Sequence, residues 1–137
     1  MKQIFLAIFT LVSLNLSHAQ TLPADLKETM KAIGADMKKL MAQSSNAAAN
    51  ADSATISQDL VRLATHAKQF LPDTIKSLSG DKRGAAETDY RQQLSQVVQM
   101  GSDLNLAFSS NDNGKAAMIL KQLNQSKREG HSAYKEN

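Results

Sequence analysis

The sequence predicts an all-α protein folded as an antiparallel up-down-up-down four-helix bundle. Three features lead to this prediction. The chain is rich in the helix formers Ala, Leu, Gln, Lys and Met, and only 4% of its residues are aromatic. In four segments the apolar residues recur at alternating steps of four and three, which is typical of a helix with one narrow apolar stripe. The segments are separated by mostly short linkers, and short linkers favour antiparallel packing of consecutive helices.

The N-terminal residues 1–19 are predicted to be a cleaved signal peptide, which would direct the protein to the periplasm. Lys2 provides a positive start, and the mostly apolar run IFLAIFTLVSLNL that follows is too short to span a bilayer. Ser17 and Ala19 then place small residues at the cleavage site. An uncleaved membrane anchor is the alternative. Residues 20–137 would form the mature helical domain, which contains no cysteine and is expected to have no membrane insertion after cleavage.

The first two helices are predicted from their start signals and apolar stripes. Thr21 and Pro23 are start signals for the first helix, whose stripe contains Leu26, Met30, Ile33, Met37 and Leu40. The linker SSNAAANADSA follows, with Asp52 or Ser53 as the expected cap of the second helix. The stripe of the second helix contains Ile56, Leu60, Leu63, Ala67 and Phe70, and Pro72 marks the end of this helix.

The third and fourth helices follow the longest linker, LPDTIKSLSGDKRG, which contains one proline and two glycines. The stripe of the third helix contains Tyr90, Leu94, Val97, Gly101, Leu104 and Phe108. Asn111 or Asp112 is the expected cap of the fourth helix, whose stripe begins with Ala116, Leu120 and Leu123. Continued by steps of four, four and three, this stripe reaches Lys127, His131 and Tyr134, so His131 is predicted to face inward or nearly so.

Met30 and His131 are the candidate metal ligands. In the predicted bundle the start of the first helix and the end of the fourth lie at the same end. A thioether and an imidazole suit a low-spin haem iron, whereas zinc, calcium and magnesium require other ligand sets. Taken singly, Met30 is typical of a core methionine and His131 of a base at a helix end. His66, beside the stripe of the second helix, is an alternative ligand.

The sequence favours a binding protein over an enzyme. No Ser-His-Asp, Cys-His or paired-carboxylate arrangement is visible, and the Glu-x-x-His pairs of di-iron bundles are absent. The charges are interspersed without a basic run, so no nucleic-acid partner is expected. A haem-free bundle that binds proteins or small ligands in the cell envelope is the alternative function. Its adaptable surface would be formed by Met30, Met37, Met41, Met100 and Met118.

Two stretches of the sequence, ADLKETMKAIGADMKKL near the start and QLNQSKREGHSAYK near the end, resemble helices of the soluble cytochrome b562 family. The segment ADLKETMKAIGADMKKL resembles the family's first helix, in which a methionine ligand lies four residues after the leucine of ADL; that residue is Met30. The tail QLNQSKREGHSAYK resembles the last helix, in which a histidine lies nine residues after the glutamine of a Gln-Leu pair; that residue is His131. The resemblance implies one non-covalently bound haem b, Met/His ligation and periplasmic electron transfer by a monomer, with unknown redox partners. Family pocket positions fall on Ile33, Met37, Tyr90, Leu94 and Val97.

The chain also departs from the family pattern. Lys127 stands where the family often has an arginine near a haem propionate, and a lysine is not a bidentate donor. Tyr90 and Leu94 replace phenylalanines, which implies looser packing around the haem. Gly130 either allows a close approach of the backbone to the porphyrin or marks a frayed last turn. Lys127 and Gly130 also occupy the cysteine positions of the C-x-x-C-H motif of the related cytochromes c′, so covalent attachment at this site is excluded. Haem carriage or sensing would use the same site as electron transfer.

Overall fold

The computed structural model describes residues 21–134; the predicted signal peptide lies outside them. All regular secondary structure in the described residues is helical, which confirms the all-α prediction. A 3-10 turn covers Ala47–Ala49. The α-helices are α1 (Leu26–Gln43), α2 (Asn50–Ala67), α3 (Asp73–Lys76), α4 (Gly80–Ser109) and α5 (Asn113–Tyr134). Four of these are long and correspond to the four predicted helices, while α3 is a single additional turn within the predicted long linker.

Helix α1 begins later than the predicted start signals. The Asp25 carboxylate accepts a hydrogen bond of 2.8 Å from the Glu28 amide and caps the helix, so Thr21 and Pro23 lie before it. The Thr29 hydroxyl adds a bond of 2.7 Å to the Asp25 carbonyl. Ile33, Met37 and Leu40 of the predicted apolar stripe face the core, where all three are buried.

Helix α2 begins at Asn50, so Asp52 and Ser53 lie inside it rather than at its cap. Both side chains instead bind Gln43 at the end of α1. The Gln43 side-chain amide donates to the Asp52 carboxylate at 2.9 Å, and the Ser53 hydroxyl donates to the Gln43 Oε1 atom at 2.9 Å. These contacts join α1 to α2 beside the linker. They explain why Asp52 and Ser53, although typical cap residues, bind the neighbouring helix and do not cap α2.

The predicted long linker is partly helical. It contains the one-turn helix α3, with Ile75 buried at 1% exposure, and its last five residues, from Gly80 to Gly84, already belong to α4. Gly80 has a φ of +57°, a conformation that is strained for residues with a Cβ atom. Glycine therefore allows the abrupt turn between α3 and α4. Helix α4 is consequently 30 residues long.

The turn into α5 agrees with the predicted cap. The Asp112 Oδ1 atom accepts a hydrogen bond of 2.9 Å from the Lys115 amide, one residue beyond the left-handed turn at Asn111 (φ 58°). Asn113 donates to the Ser44 carbonyl at 2.7 Å and to Asn50 at 2.9 Å. The α1–α2 and α4–α5 linkers therefore lie together at one end of the molecule.

The four long helices surround one core. Helices α1 and α4 each pack against both α2 and α5, and α1 contacts α5 less extensively than it contacts α2. The centre is filled by fully buried side chains from all four long helices, namely Leu40, Leu60, Leu104, Phe108 and Leu123. Among residues 21–134, no helix is long and apolar enough to cross a membrane.

Candidate functional site

A cavity of about 620 Å³ lies between α1, α4 and α5, at the end where α1 begins and α5 finishes. Its volume is within the range of roughly 300–1,000 Å³ that is typical of cofactor and small-molecule sites. The cavity is lined by all eight residues predicted for the site, namely Met30, Ile33, Met37, Tyr90, Leu94, Val97, Lys127 and His131. The structure thus brings together residues that are up to about a hundred positions apart in the sequence.

The inner walls of the cavity are apolar. Ile33 and Met37 form the α1 wall, and Leu94 and Val97 form the α4 wall, with Tyr90 at one end. All are buried except Val97, which is half-buried. These positions follow the apolar stripes of α1 and α4, so the same periodicity that builds the core also builds the cavity.

Met30 and His131 lie at the more open part of the cavity. Met30 is 37% exposed, and His131 is exposed as well, although both contribute to the lining. The apolar stripes predicted that both side chains face inward. Both do line the cavity, but they remain exposed because side chains around an open cavity are accessible to solvent. Within the described part of the chain, the imidazole of His131 makes no hydrogen bond, so both ring nitrogens are available to a ligand.

The charged residues that line the cavity are lysines. Lys27 and Lys31 come from α1, and Lys127 comes from α5. Lys31 is 3.6 Å from Glu28 in an exposed ion pair, whereas Lys27 and Lys127 pair with no carboxylate in residues 21–134. The Lys127 amine lies close to the α1 backbone. A Cβ atom placed on Gly34 of this helix would lie 4.0 Å from the Lys127 Nζ atom. This cationic rim favours a ligand that carries negative charge at one edge.

Two tyrosines close the end of the cavity. The Tyr90 hydroxyl donates to the Ala67 carbonyl at 3.2 Å, and burial raises the Tyr90 pKa to about 12. Tyr134 donates to the Asp89 carboxylate; burial and the hydrogen bond from its phenol to Asp89 raise the Tyr134 pKa to about 12. Both phenols therefore stay protonated at neutral pH. They act as hydrogen-bond donors and as walls.

His66 lies away from this cavity. Its Nε2–H group donates to the Pro23 carbonyl at 2.8 Å, and its ring packs edge-on against Phe70 with centroids 5.1 Å apart. The other ring nitrogen, Nδ1, is buried without a hydrogen-bond partner in the described residues. His66 thus holds the segment before α1 against the end of α2, and the structure offers no support for it as an alternative ligand.

Several lining residues were missed by the sequence interpretation. Lys27, Lys31 and Gly34 flank Met30 at helical spacing, and Gln93 flanks Leu94 on α4. They lie beside the apolar stripes rather than on them, so a search for apolar periodicity passes over them. Spacing of three and four from Met30 would have found Lys27 and Gly34, since such positions share a helix face.

The side chains of the cavity that suit a metal ion are the Met30 thioether and the His131 imidazole. In the described residues, no group of three or more His, Cys, Asp or Glu side chains is arranged to hold a metal ion. One thioether and one imidazole are the axial donor set of an iron that is already held by a macrocycle. The cavity volume, the apolar walls and the lysines at the rim fit such a macrocycle with acidic substituents.

A comparison with protein families agrees with this chemistry. The family model described as cytochrome b562 matches residues 25–135, which include every helix of the structure. No curated protein and no solved structure matches the chain.

Proposed function

The chain belongs to the cytochrome b562 family, whose members are haem proteins that carry electrons, and from this premise we propose that it binds one haem b and transfers single electrons. The haem would be held without covalent attachment, because the chain contains no cysteine. The protein would then bind and tune its cofactor rather than convert a substrate.

The observation that carries the proposal is the shared cavity of Met30 and His131. A methionine near the start of α1 and a histidine near the end of α5 line the same space, together with the apolar positions of α1 and α4. The Met30 thioether and a His131 ring nitrogen would bind the haem iron. When bound, the haem supplies a one-electron couple between Fe(II) and Fe(III), and methionine ligation favours the reduced iron relative to bis-histidine ligation.

The remaining lining residues have separate roles in this proposal. Ile33, Met37, Leu94 and Val97 would exclude water from the haem, which would contribute to its reduction potential. Lys127, Lys27 and Lys31 line the cavity and would provide ammonium donors for the haem carboxylates. Tyr90 would line the haem site beside Tyr134 while its hydroxyl remains bound to the Ala67 carbonyl.

The helix order that we infer is up-down-up-down. This order is supported by contacts between helix ends. The starts of α2 and α5 are joined by the bond between Asn50 and Asn113, beside the end of α1 at Ser44. At the other end, Tyr90 near the start of α4 binds the last residue of α2 and packs against Tyr134 at the end of α5. Such an order places Met30 and His131 at one end of the bundle.

The setting of the protein is inferred as well. Cleavage of residues 1–19 would leave a periplasmic monomer that exchanges electrons with partner proteins of unknown identity. Neither nucleic acid nor membrane insertion has a part in this function. The alternative of a haem-free binding bundle remains the outcome if haem is not taken up.

The test is a titration of the purified mature chain with haemin, followed by spectra of the oxidised and reduced forms. We expect saturation at one haem per chain and the sharp bands of low-spin iron after reduction. His131→Ala should lose these bands, because the imidazole is removed while the apolar walls remain. A wild-type protein without tight haem uptake would contradict the proposal and favour the haem-free bundle.

A further inference from the structure

His131 lies at a poorly supported place in the fold. It is in the last described turn of α5, it is exposed, and it follows Gly130 directly. Glycine is among the weakest helix formers, and helix ends open more readily than helix centres. A ligand at such a position needs contacts that fix the rotation of its helical turn.

The first contact that fixes this turn is at Tyr134. Its hydroxyl donates to the Asp89 carboxylate on α4. Its ring packs edge-on against Tyr90, with centroids 5.5 Å apart and an interplanar angle of 80°. Tyr90 is only 3% exposed, and it is bound to the Ala67 carbonyl, so Tyr134 rests on a buried and anchored side chain.

The second contact is at Gly130. A Cβ atom placed on this residue would lie 3.3 Å from the Gln93 Oε1 atom, closer than ordinary van der Waals contact. The Gln93 side chain is itself oriented, because its Nε2 atom donates to the Asp89 Oδ2 atom at 2.9 Å. The glycine therefore allows Gln93 to lie against the α5 backbone.

We propose that Asp89 and Gln93 form a clamp that positions His131 toward the cavity. The clamp contacts α5 at Gly130 and Tyr134, which are four residues apart on the same helix face, and His131 lies between them. Asp89 is shared by both contacts, since its carboxylate accepts hydrogen bonds from Tyr134 and Gln93. Asp89 and Gln93 are positioning residues, and their role as supports of a ligand rests on the proposed function.

The Tyr134 phenol is a suitable donor for the clamp at neutral pH. The raised pKa of the Tyr134 phenol, about 12, keeps its proton available for donation.

Side chains that orient a metal-ligating histidine commonly change metal affinity by about 10- to 100-fold when they are removed. We expect effects at the lower end of this range, because Asp89 and Gln93 act on the helical turn and not on the imidazole itself.

The first test is Tyr134→Phe, which keeps the aromatic ring and removes the donor. We expect haem to dissociate about tenfold faster and a larger fraction of the oxidised iron to become high-spin. A purely structural role would lower the stability of the haem-free protein without changing the spin state of bound haem. Unchanged dissociation and spin state, in a wild type that does bind haem, would overturn the clamp and leave the proposed function intact.

The second test uses Gly130→Ala, Gln93→Ala and the double variant. Each single variant should weaken haem binding, and the double variant should bind no more weakly than Gln93→Ala, because the added Cβ atom then meets no side chain. Gly84→Ala and Gln92→Ala are matched controls, since Gly84 has no atom near its Cβ position and Gln92 is exposed outside the cavity. Additive losses would contradict the contact between Gln93 and Gly130.

A third measurement is independent of haem. In the haem-free protein, amide hydrogen exchange of residues 130–134 should be faster in Tyr134→Phe than in the wild type, because the last turn opens when the clamp is broken. Equal exchange rates would overturn the clamp even if the wild type took up no haem. Failure of the proposed function and failure of the clamp therefore give different results.

Discussion

At the scale of single residues, the α1–α2 interface contains a carboxyl group in an unfavourable setting. Asp36 of α1 is 9% exposed, and its Oδ2 atom has no hydrogen-bond partner within residues 21–134. The charged groups that face it are Asp59 and Arg62 of α2 and Lys39 of its own helix. Burial, and then the negative charge of Asp59, raise the pKa of Asp36 from 3.8 to about 6.

This raised pKa predicts a pH-dependent effect of Asp36→Asn. The folded state binds the Asp36 proton more tightly than the unfolded state, so the contribution to stability is full below about pH 3.8 and is lost as pH rises through about 6. At pH 7 the neutral asparagine should raise the free energy of unfolding by about 1–2 kcal/mol after allowance for solvent screening. Urea denaturation at pH 7 and pH 4 should show this gain shrinking at the lower pH. A gain that is equal at both values, or a loss at pH 7, would contradict this assignment.

A second residue-scale prediction concerns the cationic rim. Lys127→Glu should weaken haem binding by about tenfold, because it replaces a donor for the haem carboxylates with a like charge. Lys121→Glu is the matched control on the same helix, since Lys121 is exposed and does not line the cavity. Haem affinities measured by competition should separate the two variants at low salt and less so at high salt. Equal affinities of both variants would mean that the rim does not contact the haem.

At the scale of helices, the closest approach of α2 and α4 depends on Gly101. A Cβ atom on this buried residue would lie 2.8 Å from the Val61 Cγ2 atom and 3.5 Å from the Ser57 carbonyl oxygen. The side chain of Val61 is branched at Cβ and has few alternative rotamers, so it cannot easily move away from an added Cβ atom. With a larger residue at position 101, α2 and α4 would therefore have to move apart. The apolar stripe marked Gly101 as an inward position, and the structure explains why it is the smallest residue of that stripe.

Gly101→Ala should therefore lower the free energy of unfolding by about 1–3 kcal/mol, the usual range for overpacking a core. The control is Gly84→Ala on the same helix, where no atom lies within 4 Å of the Cβ position. That variant should gain up to about 1 kcal/mol from better helix propensity. Thermal or urea unfolding of the two variants would reveal the opposite signs. A stabilised Gly101→Ala would show that α2 and α4 are less tightly packed than the distances indicate.

The helix ends illustrate what the sequence predicted and what it missed. Apolar spacing identified the four long helices, because each buries one face. The cap at Asp112 was also predicted, since it acts within a few residues of itself. Asp52 and Ser53 were assigned as caps, but both bind Gln43 of another helix. These hydrogen bonds depend on how α1 and α2 pack together, so rules that read only neighbouring residues cannot separate a cap from a bond between helices.

At the scale of the whole molecule, the same distinction applies to the candidate site. The positions predicted from the stripes and the family resemblance all line one cavity, because apolar faces must converge in a bundle. Lys127 of the rim was predicted, whereas Lys27, Lys31 and Gln93 were missed, since they lie beside the apolar stripes and not on them. The exposure of Met30 and His131 was missed because spacing indicates a direction, whereas the opening of a cavity depends on the distance between helices.

The central claim is that α1 and α5 would each supply one ligand to the haem iron, and replacement of Met30 tests it most directly. Met30→Ala and the control Met41→Ala remove exposed methionines of the same helix, but only Met30 lines the cavity. After loading with haemin, absorption spectra of the oxidised and reduced proteins should show high-spin iron in Met30→Ala and wild-type low-spin iron in Met41→Ala. Low-spin spectra identical to the wild type in both variants would contradict ligation by Met30.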